Sequence, residues 1–311
     1  MKKIPSFFTK KDSVFKKAPD FSPAYYKDLT KAKLSAFVLL TTMAGYAVAP
    51  GVPLLSTFFW TTIGTGLCVA SANTINQWTE QPYDAQMSRT RNRVLVRHAL
   101  TPTHAFLIGT SSGVVGTGLL ACFVNPYAAI LGFSNIILYT CIYTPMKRSS
   151  IYNTWPGAIV GAIPPMIGWV ACTGSFAPGA FVLGFALYAW QFPHFNSLAW
   201  NLRPDYSKAG YQMMSVMDPA LNSRVSLRYA LAMFPISAAC YFTDITTIWF
   251  VLDSSIVNAY MSYYAFAFWK NSNDSNARKL FFSSLVHLPV FLILLMIHKS
   301  EVEETKEVEL E

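Results

Sequence analysis

Apolar stretches of about bilayer-spanning length, roughly 17 to 25 residues, recur along the whole chain at 34–50, 55–75, 103–124, 127–145, 155–173, 178–200, 226–243, 248–269 and 280–298. In hydrocarbon, such a stretch can satisfy its own backbone polar groups only as a helix. The expected fold class is therefore an all-α membrane protein with nine transmembrane helices. Composition agrees: 13% of residues are charged and the mean hydropathy is +0.33, where a water-soluble domain carries roughly a quarter charged residues. Disorder, collagen, coiled coil and a disulfide-stapled secreted module are excluded on the same ground.

The formal charge of +8 would suggest a nucleic-acid partner in a soluble protein; here it sets orientation instead. All of the 24 Lys and Arg except Lys299 and Lys306 fall before span one or in the loops and helix ends after spans two, four, six and eight. The opposite turns, around Pro50, Asn125, Gly174 and Asp244, carry none. The N-terminus is expected inside. The expected organisation is a basic segment 1–33, a transmembrane domain 34–298, and an acidic tail 299–311 on the outer side. The basic segment uses Lys rather than Arg and includes Asp12 and Asp20, a poor match to an organellar transit peptide; it lacks the apolar core of a secretory signal. Cys68, Cys122, Cys141, Cys172 and Cys240 stand singly inside the spans, a pattern for packing rather than for disulfides or thiolate metal sites.

Chemistry concentrates in two inner loops. Span two runs into Asn76, Glu80 and Asp84, spaced by four and so on one helix face. Two carboxylates and an amide on one face repel unless a cation sits among them. Mg²⁺ is the natural candidate, because it takes one or two carboxylates and completes its shell with water and substrate phosphate. Pro82 is expected to bend or interrupt this helix, and a solvated helix end is the plainer alternative. Arg89 and Arg93 follow, again four apart. Acids to hold a metal, then guanidinium forks to grip phosphate oxygens, is what a metal-diphosphate site requires. Lys147 and Arg148, after Tyr143, add positive charge on the same side or serve only as topology markers.

The second loop, after span six, presents His194, Asn196 and Asp205 and echoes the first about 120 residues later. The echo is weak, since Trp200 and Pro204 stand where acids would complete it. His194 near an aromatic-rich span is a functional candidate; a structural, hydrogen-bonded histidine explains it as well.

Asn76-x3-Glu80-x3-Asp84-x2-Met87-x-Arg89-Thr90-x2-Arg93, Tyr143-Thr144-Pro145-x-Lys147-Arg148 with Asn153 and Gly157, and Pro193-His194-Phe195 leading to Asp205-Tyr206 resemble the UbiA-type intramembrane prenyltransferases, most closely their mitochondrial haem-farnesylating branch. The resemblance covers roughly residues 30 to 297. It implies helices around a central cavity, two acidic motifs that bind diphosphate through Mg²⁺, and transfer of farnesyl from farnesyl diphosphate to a vinyl group of haem b. It also implies residence in the mitochondrial inner membrane, with haem A synthase or oxidase assembly factors as partners. Two departures stand out: Val94 where the family usually has Pro, and Arg203-Pro204 before Asp205 where many relatives have another acid.

On this resemblance Asn76, Glu80, Asp84 and Asp205 hold the metal and Arg89, Arg93, Lys147 and Arg148 the remaining phosphate charge. Tyr143, Trp155 and Trp190 are candidates to stabilise an allylic cation, and His194 and His287 to contact haem. The small residues and paired prolines of 156–165 allow close helix approach and a kink. Acidic loops after spans two and six hint at a duplicated half, which raises a secondary transporter as a rival; its charges, however, would lie at the bilayer midplane, which here is nearly free of them. A prenyltransferase of aromatic quinone precursors would need the same donor site. Glu80, where quinone-type enzymes generally carry Asp, favours haem.

Overall fold

Helix starts are written into the sequence as caps. Thr101, Asn125, Asp218 and Asn273 each accept a backbone N–H of the first turn, which satisfies donors that have no intrahelical partner. Pro23, Pro102, Pro126, Pro178 and Pro219 occupy the first helical turn, where the missing N–H costs nothing. The computed structural model describes residues 22–300; the acidic tail and most of the basic segment lie outside these.

The helices are α1 (Pro23–Leu29), α2 (Ala32–Val48), α3 (Leu55–Asp84), α4 (Pro102–Phe123), α5 (Pro126–Ile137), α6 (Thr144–Ser149), α7 (Thr154–Thr173), α8 (Pro178–Asn201), α9 (Arg203–Lys208), α10 (Met214–Met217), α11 (Pro219–Phe242), α12 (Ile248–Lys270) and α13 (Asp274–Ile297). Among the described residues there is no strand, only an isolated bridge between Thr246 and Lys299. Among the described residues six helical stretches are long and apolar enough to cross a membrane, and α2 is a shorter apolar helix. α2 packs on α7, α3 on α4, α7 on α8, and α8 on α11 and α13. The α2–α7 contact is close because Gly168 lies against the Thr42 carbonyl and Gly45 against that of Pro165; a Cβ at either would collide with it.

Three details differ from the sequence reading. α3 continues through Pro82 to Asp84, so the acidic face is not broken; the Thr90 hydroxyl instead braces this helix end by donating to the Asp84 carbonyl at 2.9 Å. Span four is composite, with a π-helical turn at Leu138–Tyr143 between α5 and α6. Pro145 lacks the N–H that would continue an α-helical ladder, and Thr144 bonds back to Tyr139 instead. Span seven begins at Pro219, earlier than hydropathy places it, so Arg224 is helical as well as Arg228.

Candidate active site

The last three turns of α3 present Asn76, Glu80 and Asp84 on one face, all buried. Each is met by a cation from a different part of the chain. Asp84 forms an ion pair with Arg93. Glu80 accepts from Lys147 Nζ at 2.8 Å. Asn76 Oδ1 accepts from Lys31 Nζ at 2.8 Å, while its Nδ2 donates to Thr144 Oγ1 at 3.0 Å. Three cations thus face two carboxylates in a poorly solvated place, and the surplus of positive charge favours an anion.

Local structure explains the convergence. The π turn puts Tyr139 and Tyr143 on neighbouring positions, their rings 5.6 Å apart. Lys147 Nζ lies 4.5 Å from the Tyr143 ring centre and Lys31 Nζ 6.0 Å from that of Tyr139, within cation–π range. Gly157 lets the Tyr143 ring lie on α7, since a Cβ there would overlap the ring. Lys31 caps α2 in a left-handed conformation, φ 51°, which turns the chain so that the amine reaches α3. Loss of solvation, with Arg93 and Lys147 nearby, lowers its pKa to about 7.

Residues 85–101 form an ordered loop that carries the arginines. The Val94 N–H donates to Asp28 Oδ2 at 2.9 Å and Gln81 Nε2 to the Leu95 carbonyl at 3.0 Å. Val94 therefore uses an N–H that a proline would lack. Asp205, on α9, closes over this loop: both its oxygens accept from Ser88 Oγ at 2.7 Å, and the N–H groups of Ser88 and Arg89 each lie at 3.3 Å. The Ser88 hydroxyl first, and those N–H groups, hold the Asp205 carboxyl below the usual carboxylate range. The Gln212 N–H donates to the Lys147 carbonyl and Asn153 Nδ2 to that of Gln212, so the segment after α9 is fastened beside α6. Tyr211 is buried there, and burial together with the Glu80 charge pushes its phenol up.

Asn76, Glu80, Asp84, Arg93, Lys147 and Tyr143 are thus brought together. Arg89 and Arg148 sit exposed at the rim, with Arg148 over the Tyr83 ring. Asp205 belongs to the loop clamp; among the described residues no group of three or more His, Cys, Asp and Glu is placed to hold a metal ion by itself. Trp155 joins a separate aromatic cluster, donating to Tyr229 Oη at 3.1 Å and packing on Phe192. Trp190 donates to the Ser284 carbonyl of α13 at 2.9 Å. His194 stacks between Trp190 and Phe281, with Nδ1 2.9 Å from Ser284 Oγ. His287 is sealed in the interior, with Nε2 2.8 Å from Asn258 Oδ1 and Nδ1 unpartnered.

In the sequence Lys31 serves only as a topology marker, Thr144 stands in the Tyr143-Thr144-Pro145 motif without a role of its own, and Ser88, Tyr139 and Tyr211 are not singled out. Nothing local distinguishes these residues; a lysine just before a span is common, and its role appears only when α2 is laid against α3.

A divalent cation fits the donor set. Asp84 Oδ1 is buried without a hydrogen-bond partner, and the ammonium groups of Lys31 and Lys147 stand on the amide and carboxylate oxygens that a metal would use. Hard oxygen donors of this kind suit Mg²⁺.

The model of the UbiA prenyltransferase family matches residues 38–286. The chain is 51% identical over 274 residues to the mitochondrial protoheme IX farnesyltransferase of Homo sapiens, covering 88% of this chain and 62% of that protein. It is 49% identical over 291 residues to the protein of the same name from Yarrowia lipolytica, covering 89% and 62%, so it spans about 62% of the length of these relatives. Among solved structures, one of digeranylgeranylglyceryl phosphate synthase superposes with a TM-score of 0.76 at 15% identity, over 88% of this chain and 97% of that one. A UbiA homolog from Archaeoglobus fulgidus bound to DMAPP and Mg²⁺ gives 0.64 at 14% identity, over 88% and 99%. At such identities the likeness is one of fold.

Proposed function

Because the chain belongs to the UbiA prenyltransferase family, we propose that it transfers the farnesyl group of farnesyl diphosphate to a vinyl group of protoheme IX, with addition of water, giving haem O and diphosphate. The observation that carries the donor half is the buried set of Glu80 and Asp84 ion-paired to Lys147 and Arg93, with Lys31 on Asn76. The acceptor half rests on the name of the relatives at 42–51% identity.

The chain crosses the bilayer nine times, with its basic N-terminal segment 1–33 on the matrix side of the mitochondrial inner membrane, the acidic tail 299–311 on the other, and residues 34–298 as the catalytic domain. Asn76, Glu80 and Asp84 hold Mg²⁺, and Asp205 completes the set across the loop. The metal supplies Lewis-acid neutralisation of the leaving diphosphate. Arg93, Lys147 and Lys31 bind phosphate oxygens from below, and Arg89 and Arg148 from the rim. As the farnesyl C–O bond breaks, its electron pair leaves with the diphosphate. Tyr143 presents its ring face to the allylic cation. The vinyl π electrons form the new C–C bond; water then adds to the haem-side carbon and loses a proton. Of the two histidines, His194 is the one left to contact haem, being half-buried with only Nδ1 engaged.

Membranes containing the protein, incubated with haem b, farnesyl diphosphate and Mg²⁺, should yield a more apolar haem heavier by farnesyl plus water, and Asp84→Ala should not. Mg²⁺-dependent binding of farnesyl diphosphate with no haem product would move the acceptor to an aromatic quinone precursor.

A further inference from the structure

The acid-base cluster uses the inner ends of α3, α6 and α9, yet a second set of cations stands where α12 ends and α13 begins. Arg278 and Lys279, in the second turn of α13, are exposed, and neither meets a carboxylate among the described residues. The acid nearest in sequence, Asp274, is engaged elsewhere: its Oδ1 accepts from Trp200 Nε1 at 2.9 Å and from Arg203 at 3.2 Å. Arg278 spends its Nε on the Asp274 carbonyl at 3.2 Å, and the exposed side chain keeps its two NH₂ groups for a ligand. Lys270 ends α12 on the same side.

Arg278 and Lys279 head a cavity of about 320 Å³ between α12 and α13, which is lined below them by Tyr260, Tyr264, Phe282 and Val286. From Arg278 to Val286 is eight residues of helix, about 12 Å at 1.5 Å per residue. That is most of one leaflet, since the hydrocarbon core is about 30 Å thick. Tyr260 and Tyr264 stand one turn apart, their rings 5.1 Å from each other, and Phe282 is 62% exposed. The groove therefore opens sideways to the bilayer, with positive charge at the headgroup level and aromatic faces at the depth of an acyl chain.

We propose that this groove is a binding site for an anionic phospholipid of the inner leaflet, its phosphate held by Arg278 and Lys279 and one acyl chain laid along Tyr260, Tyr264, Phe282 and Val286. Charge complementarity selects the occupant, because a zwitterionic lipid would bring its own ammonium to a rim that already holds two cations. The proposal goes beyond farnesyl transfer and uses only the orientation of the inner face: no residue of the acid-base cluster lines the groove. The bound lipid would brace α12 against α13, the last pair of the bundle, on the side away from the interior, where Phe250 packs on Phe291 and a His287–Asn258–Ser237 chain of hydrogen bonds runs.

The test is native mass spectrometry of the full chain released from detergent after titration with phosphatidylglycerol or with phosphatidylcholine of the same acyl chains. The expected result is one phosphatidylglycerol retained at concentrations where phosphatidylcholine is not. R278Q/K279Q should lower that retention about thirtyfold, two basic contacts each contributing about fivefold, with its haem product formation in phosphatidylcholine unchanged. V286W fills the tail end and should lower retention with both charges intact. Equal retention of the two lipids by the wild type, or retention by R278Q/K279Q equal to the wild type, overturns the proposal. So does displacement of phosphatidylglycerol by stoichiometric haem b, which would make the groove a haem site.

Discussion

The two inner loops both offer carboxylates, but they hold them in opposite ways. On α3, Glu80 and Asp84 are buried and each is matched to a protein cation. On α9, Asp205 is half-exposed and held by neutral donors, a hydroxyl and two backbone N–H groups. Burying a charge without a partner costs several kcal/mol, so the first motif could be placed inside only with its cations. The second lies at the surface, where a hydroxyl, two backbone N–H groups and the nearby charge of Lys208 suffice for it. One loop thus holds its carboxylates inside a set of cations, and the other holds its carboxylate at the surface on Ser88 and Arg89; the metal role proposed for Asp205 depends on that difference.

The sharpest way to break this contrast is to strand a charge in the first loop. Lys147→Met leaves Glu80 buried without its partner and should destabilise the protein by about 3 to 5 kcal/mol, read as a fall in the thermal transition in detergent. Adding Glu80→Gln should restore most of the loss. Asp205→Asn, by contrast, should shift that transition by no more than about 1 kcal/mol. Next in size is the effect on rate: Asp84→Asn should lower haem product formation about 10²- to 10³-fold, without unfolding the chain. Lys31 sharpens the account further. With its pKa lowered to about 7, it is protonated below that pH and loses its charge above it. The KM for farnesyl diphosphate should therefore rise as pH passes upward through 7, and Lys31→Arg should flatten the profile because guanidinium stays charged. The smallest effect concerns the clamp. Its depressed pKa keeps Asp205 ionised down to and below the ordinary carboxylate range of about 3.9, so its contribution to stability is lost only as pH falls through that lower value. Ser88→Ala should move the onset of this loss upward in an acid titration followed by circular dichroism.

How much of this was legible in the sequence follows the physics of each signal. Helices that must satisfy their backbone in lipid announce themselves by length and hydropathy, and the helices over 102–123 and 154–173 lie within a residue of where the apolar runs place them. The shared face of Asn76, Glu80 and Asp84 was readable from spacing, although Pro82 argued for a break; that one missing N–H is absorbed at the last turn. The partners of these residues were not readable, because Lys31, Arg93 and Lys147 come from three elements whose convergence is a property of packing. The same holds for Asp205. Its position in the second loop was evident, but its grip on Ser88 joins residues more than a hundred apart, and no local pattern records it. Trp155 and Trp190 show the converse: aromatic and well placed along their spans, they are spent on Tyr229 and on the Ser284 carbonyl.

The measurement that bears most directly on the two-loop account is equilibrium binding of labelled farnesyl diphosphate to the purified protein across a Mg²⁺ titration, wild type against Asp205→Asn. The account predicts that the variant binds the donor but needs at least about tenfold more Mg²⁺ for half-saturation, a charged contact being worth roughly 1.5 to 3 kcal/mol. The same Mg²⁺ dependence in both proteins would contradict it and reduce Asp205 to a clamp on the arginine loop.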